Sequence, residues 1–458
     1  MIPNEKCVSD LIQLVTEEIV SFVEHEHIDA VVNAANPTLM GSNEPSVDQS
    51  LHKRIDEILH PVSKTFNSII KEETDKIQEL PDAAIRCRRG EAVVTKGGEP
   101  GHYFCKYVIH VVGTKYDGIR DKGLSRKATA YCSSSCMQNL ESCYRHIVTA
   151  IMEHPDIQTI AIPIVSSGNY EFPYETAVRI ALASIGNALM DWRKKDTELF
   201  NQSAIQKIYI CIYGKDSADQ TDRYRLAGKV WKSYEKILRY DHKVVMQNTW
   251  MAHFRYIQEI RKYDKNRGYF AIARNFRLLL MYLRVIFLPM LSFKDFFGGY
   301  NWERRRAVVE GTVILKMLLP FAFFMIINEC GYSPGLAAGL QILTLYLMAD
   351  TVTYLLVLIV LSDIQRPSAN VIRSMIFLFI NYLEVSADMA ILCYLNNFGA
   401  IDIREAVAFG ILAGNINKNG ESLVNLSLQY ANMGIKFFFV SLAFGYFANH
   451  LHQRKFVS

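Results

Sequence analysis

The run Asp29-Ala30-Val31-Val32-Asn33-Ala34-Ala35-Asn36-Pro37 carries an apolar strand that stops at two side-chain amides. Val31 and Val32 fit a buried strand. Asn33 and Asn36 place donors and acceptors where that strand ends, and in an open α/β sheet ligands bind outside the carboxyl ends of strands. Ala34 and Ala35 keep the turn small enough for backbone to approach a ligand. A second run, from Ile160 to Pro173, ends another strand in small hydroxyl residues around a glycine. Ser166, Ser167, Gly168, Asn169 and Tyr170 offer successive backbone N–H groups. A helix starting near Tyr174 adds the positive end of its dipole, and the combination suits a phosphate. Either run also reads as a plain strand-to-helix turn, which the same residue types favour.

The elements that must position these residues alternate along the first half. Apolar runs at 28–32, 92–94, 107–112, 159–165 and 208–213 read as buried strands. Helical patterns at Val47–Leu59, Ala128–Glu153, Tyr174–Trp192 and about 220–240 intervene. Strands alternating with helices predict an α/β domain over residues 1–240, with a mixed, largely parallel sheet and flanking helices.

The two loop runs resemble the ligand loops of macrodomains, which bind ADP-ribose and its derivatives. Tyr107-Val108-Ile109-His110-Val111-Val112-Gly113 resembles the family's central strand. Cys143-Tyr144-Arg145 resembles a helical tripeptide of the family. The resemblance covers about half the chain and implies an ADP-ribose-type ligand without a cofactor. It implies that Asn33, Asn36, Asp48 and Ser166 to Tyr170 hold that ligand, and that Phe172 stacks on a ribose or base. Two stretches depart from the family. Active ADP-ribosyl hydrolases of the family follow the asparagines with a glycine run and Val-Asp. Here the stretch is Gly41-Ser42-Asn43-Glu44-Pro45-Ser46-Val47-Asp48. Glycines let backbone N–H groups close over a diphosphate, and Glu44 repels one. The resemblance therefore implies binding more than hydrolysis; an enzyme would rest on Asn36 and Asp48. Asp48 also fits an N-cap of the following helix. The family's Gly-Asp pair, which reads the adenine amino group, is missing. Glu18 is the nearest acceptor.

The net charge of +4 over 458 residues is small, and no nucleic-acid partner is expected. Nine cysteines without regular spacing give no disulfide framework and suit a reducing compartment. Cys132, Cys136, Cys143 and His146 fall along one predicted helix, too extended to share one zinc ion, so no metal site is expected. The polar start of the chain does not read as a signal peptide.

Residues 241–306 read as a basic amphipathic linker with an interfacial helix. From Arg255 to Arg306 there are twelve Lys/Arg against four Asp/Glu. Arg274, Arg277 and Arg284 share one helical face, expected to meet anionic headgroups, with a membrane span as the alternative. Residues 307–458 read as an all-α transmembrane domain of four helices, about 307–327, 336–361, 374–395 and 430–451. A re-entrant pore helix at 403–420 is expected before the last. Asp350, Glu384, Asp388 and, at the expected constriction, Asn415 are the intramembrane polar candidates, with Lys316 and Lys436 as partners. Basic residues flanking the spans place both termini in the cytoplasm of an inner-membrane protein.

These features make the expected function that of a sensor-effector. A macrodomain-like module binds an NAD-derived nucleotide and gates an oligomeric pore, a tetramer being favoured. The architecture resembles membrane effectors of bacterial anti-phage systems with a TIR-domain partner enzyme. The alternatives are a membrane-anchored ADP-ribosyl hydrolase and a passive recruiter of ADP-ribosylated proteins.

Overall fold

The computed structural model of the chain describes residues 5–75, 85–117, 133–265, 267–365, 371–412 and 422–451. The chain divides into two compact units: Met1–Glu259 with Gly298–Arg304, and Ile260–Phe297 with Arg305–Ser458.

The first unit contains, in order, α1 (Val8–Leu11), β1 (Ile12–Val15), α2 (Ile19–Glu26), β2 (Ala30–Ala35), α3 (Val47–Leu59), α4 (Phe66–Thr74), β3 (Ala92–Glu99), β4 (His102–Val112), α5 (Ser134–Glu153), β5 (Thr159–Pro163), α6 (Tyr174–Lys195), α7 (Thr197–Gln202), β6 (Lys207–Cys211) and α8 (Ser217–Arg239). A last helix, α9 (Thr249–Tyr263), begins in it. The strands form one sheet in the order β1-β6-β5-β2-β4-β3. Every neighbouring pair is parallel except β3 with β4. The unit is thus the expected α/β domain with a mixed sheet.

The central strand β2 shows why the sequence folds this way. Ala30 and Val32 point into one core with Ile109, Tyr144 and Ile160. Val31 points into the other with Leu51, Ile55 and Phe66. Side chains alternate across a strand, and helices cover both faces here, so the strand has to be apolar throughout. Its neighbours β4 and β5 place Val108 and Ala161 opposite Val31. The carboxyl ends of β2, β4 and β5 therefore lie side by side, and the two loop runs emerge there.

Local signals set the helix starts. Ser46 Oγ accepts from Gln49 N and caps α3, and Ser133 Oγ accepts from Cys136 N and caps α5. Of the two readings open for Asp48, the cap falls to Ser46, because its backbone is extended while Asp48 already lies within the helix. Helix α6 follows Pro173 and has no side-chain cap. The helix expected from Ala128 starts at Ser134, and 128–132 lie outside the described residues.

The second unit is helical: α10 (Ala271–Ile286), α11 (Leu288–Gly298), α12 (Trp302–Cys330), α13 (Pro334–Val360), α14 (Val371–Asn396), α15 (Ile403–Leu412) and α16 (Leu423–Leu451). Among the described residues three helices are long and apolar enough to cross a membrane: Trp302–Cys330, Pro334–Val360 and Ile372–Asn396. A fourth counts if Ala271–Ile286 and Pro289–Gly298, bent by 69°, form one span. The last expected span, 430–451, falls on α16, part of whose side chains lie outside the described residues. Leu315, Phe321, Ile342, Leu345 and Phe379 are exposed along the three apolar helices, a surface that suits lipid hydrocarbon.

Candidate functional site

The site is built at the ends of β2, β4 and β5. The loop after β5 is held from below at three points. Val165 N donates to the Tyr144 hydroxyl at 2.9 Å, Thr114 N donates to Ser166 Oγ at 3.1 Å, and Phe172 N donates to Ser166 O at 2.9 Å. Ser166 is buried at φ +67°, in the left-handed region that non-glycine residues rarely adopt. Ser167 Oγ donates to Ile164 O at 2.7 Å. Ser166 and Ser167 thus use their hydroxyls to shape the loop.

That shaping frees the backbone. Among the described residues, the N–H groups of Ser166, Gly168, Asn169 and Tyr170 have no protein acceptor. Gly168 and Asn169 are exposed, and a Cβ built on Gly168 meets nothing within 4 Å. The loop leads straight into the uncapped start of α6, a helix of 22 residues. Unsatisfied N–H groups at a helix start and its dipole form an anion site. Arg89 stands near, with its guanidinium 5.9 Å from the Tyr170 ring centroid.

The loop after β2 closes the other side. Asn36 Oδ1 accepts from Thr38 N at 3.0 Å and from Thr38 Oγ1 at 2.6 Å, and its Nδ2 donates to Gly41 O at 2.7 Å. Its amide therefore braces the turn from 36 to 41, where Leu39 and Gly41 have positive φ. Asn43, Glu44 and Pro45 are exposed. Asn169 Nδ2 donates to Pro45 O at 3.5 Å and links the two loops.

Behind these loops lies a buried polar network. Asn33, fully buried, donates through Nδ2 to Asp48 Oδ1 at 2.7 Å and lies 3.2 Å from His110 Nδ1. Because Asn33 donates there, Nδ1 accepts, and Nε2–H of His110 donates to Thr95 Oγ1 at 3.0 Å. Burial pushes His110 down to about 3, with His52 adding to the effect, so it is neutral. Asp48 is 2% exposed, and His52 Nε2 lies 3.4 Å from its Oδ1. Asn33 Oδ1 and Asp48 Oδ2 are buried without a protein partner.

Two expected ligand residues are turned to structure. The Phe172 ring, expected against a ribose or base, is 2% exposed and packs edge-on against Tyr116 at 5.5 Å. Apolar burial wins over exposure at the loop's underside. Glu18, expected to read an amino group, caps α2, accepting from Val20 N at 2.9 Å and Ser21 N at 3.0 Å. His52, His110 and Thr95 were not singled out from the sequence. The signals for them are a histidine four residues after Asp48 on one helix face and a histidine inside an apolar strand. The Cys143 thiol in α5 and the Cys87 thiol in the stretch before β3 are buried, which pushes both up to about 12. Cys143 donates to Val112 O. With Tyr144, it fastens α5 to the ends of β4 and β5.

In the second unit Asp350 is the hub. Its Oδ1 accepts from Arg284 at 2.7 Å, and its Oδ2 from Lys316 Nζ at 2.6 Å. Lys316 Nζ also reaches Thr351 Oγ1 at 3.1 Å, and Thr351 donates to Glu384 Oε1 at 2.7 Å. Asp388 lies four residues along α14, 1% exposed. Lys316 thus meets a carboxylate as expected. Lys436 does not: it donates to Ser386 Oγ at 2.8 Å and to Gly410 O. The arginines expected at headgroups face inward. Arg277 is 1% exposed and binds Asp264 and Asp363, and Arg284 binds Asp350. An arginine in low dielectric is stable only beside such partners. Arg274 donates to Arg261 O at 2.9 Å. The expected constriction with Asn415 lies outside the described residues.

Comparison with known proteins places the first unit. A family model, the Macro domain, matches residues 32–181. A macro domain-containing protein of Methanosarcina mazei is 31% identical over 192 residues, covering 42% of this chain and 76% of that protein. The ADP-ribose glycohydrolase MACROD2 of Xenopus laevis is 31% identical over 186 residues, which are 41% of this chain and only 34% of that protein. Among solved structures, the Oceanobacillus iheyensis macrodomain with ADP is 18% identical with a TM-score of 0.34, over 50% of this chain and 95% of that one. With most of the length of the Methanosarcina relative matched at that identity, the chain belongs to the macro domain family.

Proposed function

We propose that the chain is a membrane sensor-effector whose first unit binds an ADP-ribose-type nucleotide and whose second unit responds in the bilayer. The observation that carries this reading is the row of free N–H groups at Ser166, Gly168, Asn169 and Tyr170 before an uncapped helix, on a chain with three span-length apolar helices. The diphosphate lies on that row, and Tyr170, half-buried, takes the stacking role that Phe172 does not. Asp48 Oδ2 and Asn33 Oδ1 receive a ribose hydroxyl or an ordered water.

Binding prevails over cleavage on this reading. Asn36 is engaged with Thr38 and Gly41, Asp48 is buried, and Glu44 and Pro45 stand where the family's hydrolases carry glycines. A general base has to come within hydrogen-bonding reach of the proton it removes. Nucleotide binding then shifts an oligomer of the second unit, a tetramer by preference, towards an open pore, driven by its differential affinity for the two states. An upstream TIR-domain enzyme supplies the signal from NAD, and the pair serves anti-phage defence at the inner membrane. Liposomes holding the full chain test this: ion flux should rise on adding ADP-ribose, and flux indifferent to the nucleotide overturns the pore.

One observation favours a hydrolase instead. Asp48 Oδ2 is unpartnered beside His52, as a water-orienting carboxylate requires. Release of ADP-ribose from modified protein, abolished in Asp48→Ala, would establish that reading over the first.

A further inference from the structure

We infer that α10 and α11 form a re-entrant helix pair: α10 descends into the hydrocarbon and α11 returns through the same membrane face, presenting an apolar outer surface to lipid acyl chains. The inference rests on the membrane reading of the second unit and goes beyond it. A bent apolar pair of this length has two readings, a broken span or a re-entrant loop, and three observations choose between them.

The first is connectivity. The chain leaves the first unit after Glu259 and is back in it at Gly298–Arg304. The return is firmly paired. Val244 bridges Asn301, Val245 N donates to Tyr300 O at 2.8 Å, and Trp302 N donates to Lys243 O at 3.0 Å. Lys243 N also donates to Glu303 Oε2 at 3.0 Å. A full crossing would carry Gly298–Arg304 to the opposite face from residues 243–245, to which they are hydrogen-bonded. The excursion therefore begins and ends on one face.

The second is depth. Arg277 Nη1 binds Asp363 at 3.0 Å and Val360 O at 3.1 Å, at the end of α13. Arg284, two turns further along α10, binds Asp350 at 2.7 Å. Asp350 lies ten residues inside that end, and at about 1.5 Å per residue this is ~15 Å. That is the middle of a hydrocarbon core of roughly 30 Å. A helix lying in the headgroups reaches Asp363 but not Asp350. Arg284 is tolerated there because Asp350 supplies its counter-charge.

The third is the return. After the bend, Asp295 near the end of α11 binds Arg305 in the first turn of α12 at 2.9 Å. Helix α11 has thus climbed back to the end of a span, the end from which the chain next crosses. Ile272, Phe276, Leu279, Ile286 and Phe296 are exposed on the outer surface of the pair, and inside a bilayer that surface is satisfied by acyl chains.

Cysteine accessibility of the full chain in sealed vesicles tests the topology. Native Cys330, exposed at the far end of α12, reports the opposite face. Lys265→Cys, Ile286→Cys and Arg304→Cys are read one at a time with a membrane-impermeant maleimide and site-resolved mass spectrometry. The expected result is that positions 265 and 304 label from one face, Cys330 from the other, and position 286 from neither until detergent is added. Labelling of 265 and 304 from opposite faces overturns re-entry in favour of a span. Labelling of 286 as fast as 265 overturns it in favour of a surface helix. If alkaline carbonate extracts the chain and Cys330 labels together with 265, the membrane reading itself fails, an outcome distinct from the other two.

Discussion

Ser166 anchors the proposed anion loop and offers a graded test of how that loop is held. Its Oγ accepts the Thr114 N–H at 3.1 Å, it is buried, and its φ is +67°. Ser166→Ala removes the acceptor and leaves a buried N–H without a partner, at a cost of about 1–3 kcal/mol. It keeps a Cβ in the left-handed region. Ser166→Gly loses the same hydrogen bond but relieves that strain, which is worth roughly 1 kcal/mol. The two variants therefore separate by about that amount, with glycine the better tolerated although it removes more atoms. Hydrogen exchange of β4 and β5 amides in the full chain measures this, since 1 kcal/mol corresponds to about a fivefold change in protection. The expected order is wild type, then glycine, then alanine, with ADP-ribose affinity falling in the same order. Alanine equal to or above glycine, or both equal to wild type, would refute the assignment of strain and anchor to this residue.

His110 is held neutral, with its value pushed from 6.5 to about 3, so the stability it contributes is present above about pH 6.5 and lost as pH falls towards 3. At pH 5 the loss is about 2 kcal/mol, at ~1.4 kcal/mol per pH unit; β2 and β4 amide protection should show it, and His110→Gln should remove it. Asp350→Asn leaves Arg284 and Lys316 buried without their counter-charge, a loss of about 3–5 kcal/mol. A thermal midpoint in detergent equal to wild type would contradict the pairing. A Cβ built on Gly410 lies 2.3 Å from Ser386 O, so Gly410→Ala should force α15 off α14 at a cost of about 1–3 kcal/mol. Nucleotide affinity should be unchanged.

What the sequence disclosed follows from where the information lies. Strand β2 was legible because both of its faces are buried, which makes it a continuous apolar run, and α3 because its amphipathic pattern starts at a serine. Strand β1 was not, since four residues, one of them Gln13, make too short a pattern. Asn33 and Asp48 stood out as site candidates, but their link to His110 joins residues far apart in sequence. Phe172 packs against Tyr116 and Glu18 caps α2, contacts that their residue types do not announce. An aromatic ring at a loop end reads the same whether it faces ligand or core, and a carboxylate before a helix serves equally as a cap. The arginines of α10 show the same limit. Their common face was readable, while Asp264, Asp350 and Asp363 come from elsewhere in the chain.

Hydrogen exchange of the full chain in lipid, with and without ADP-ribose, tests the central claim most directly. The account expects saturable protection at 164–173 and 36–48, together with altered exchange in the second unit. Absence of nucleotide-dependent protection at 164–173 would contradict it.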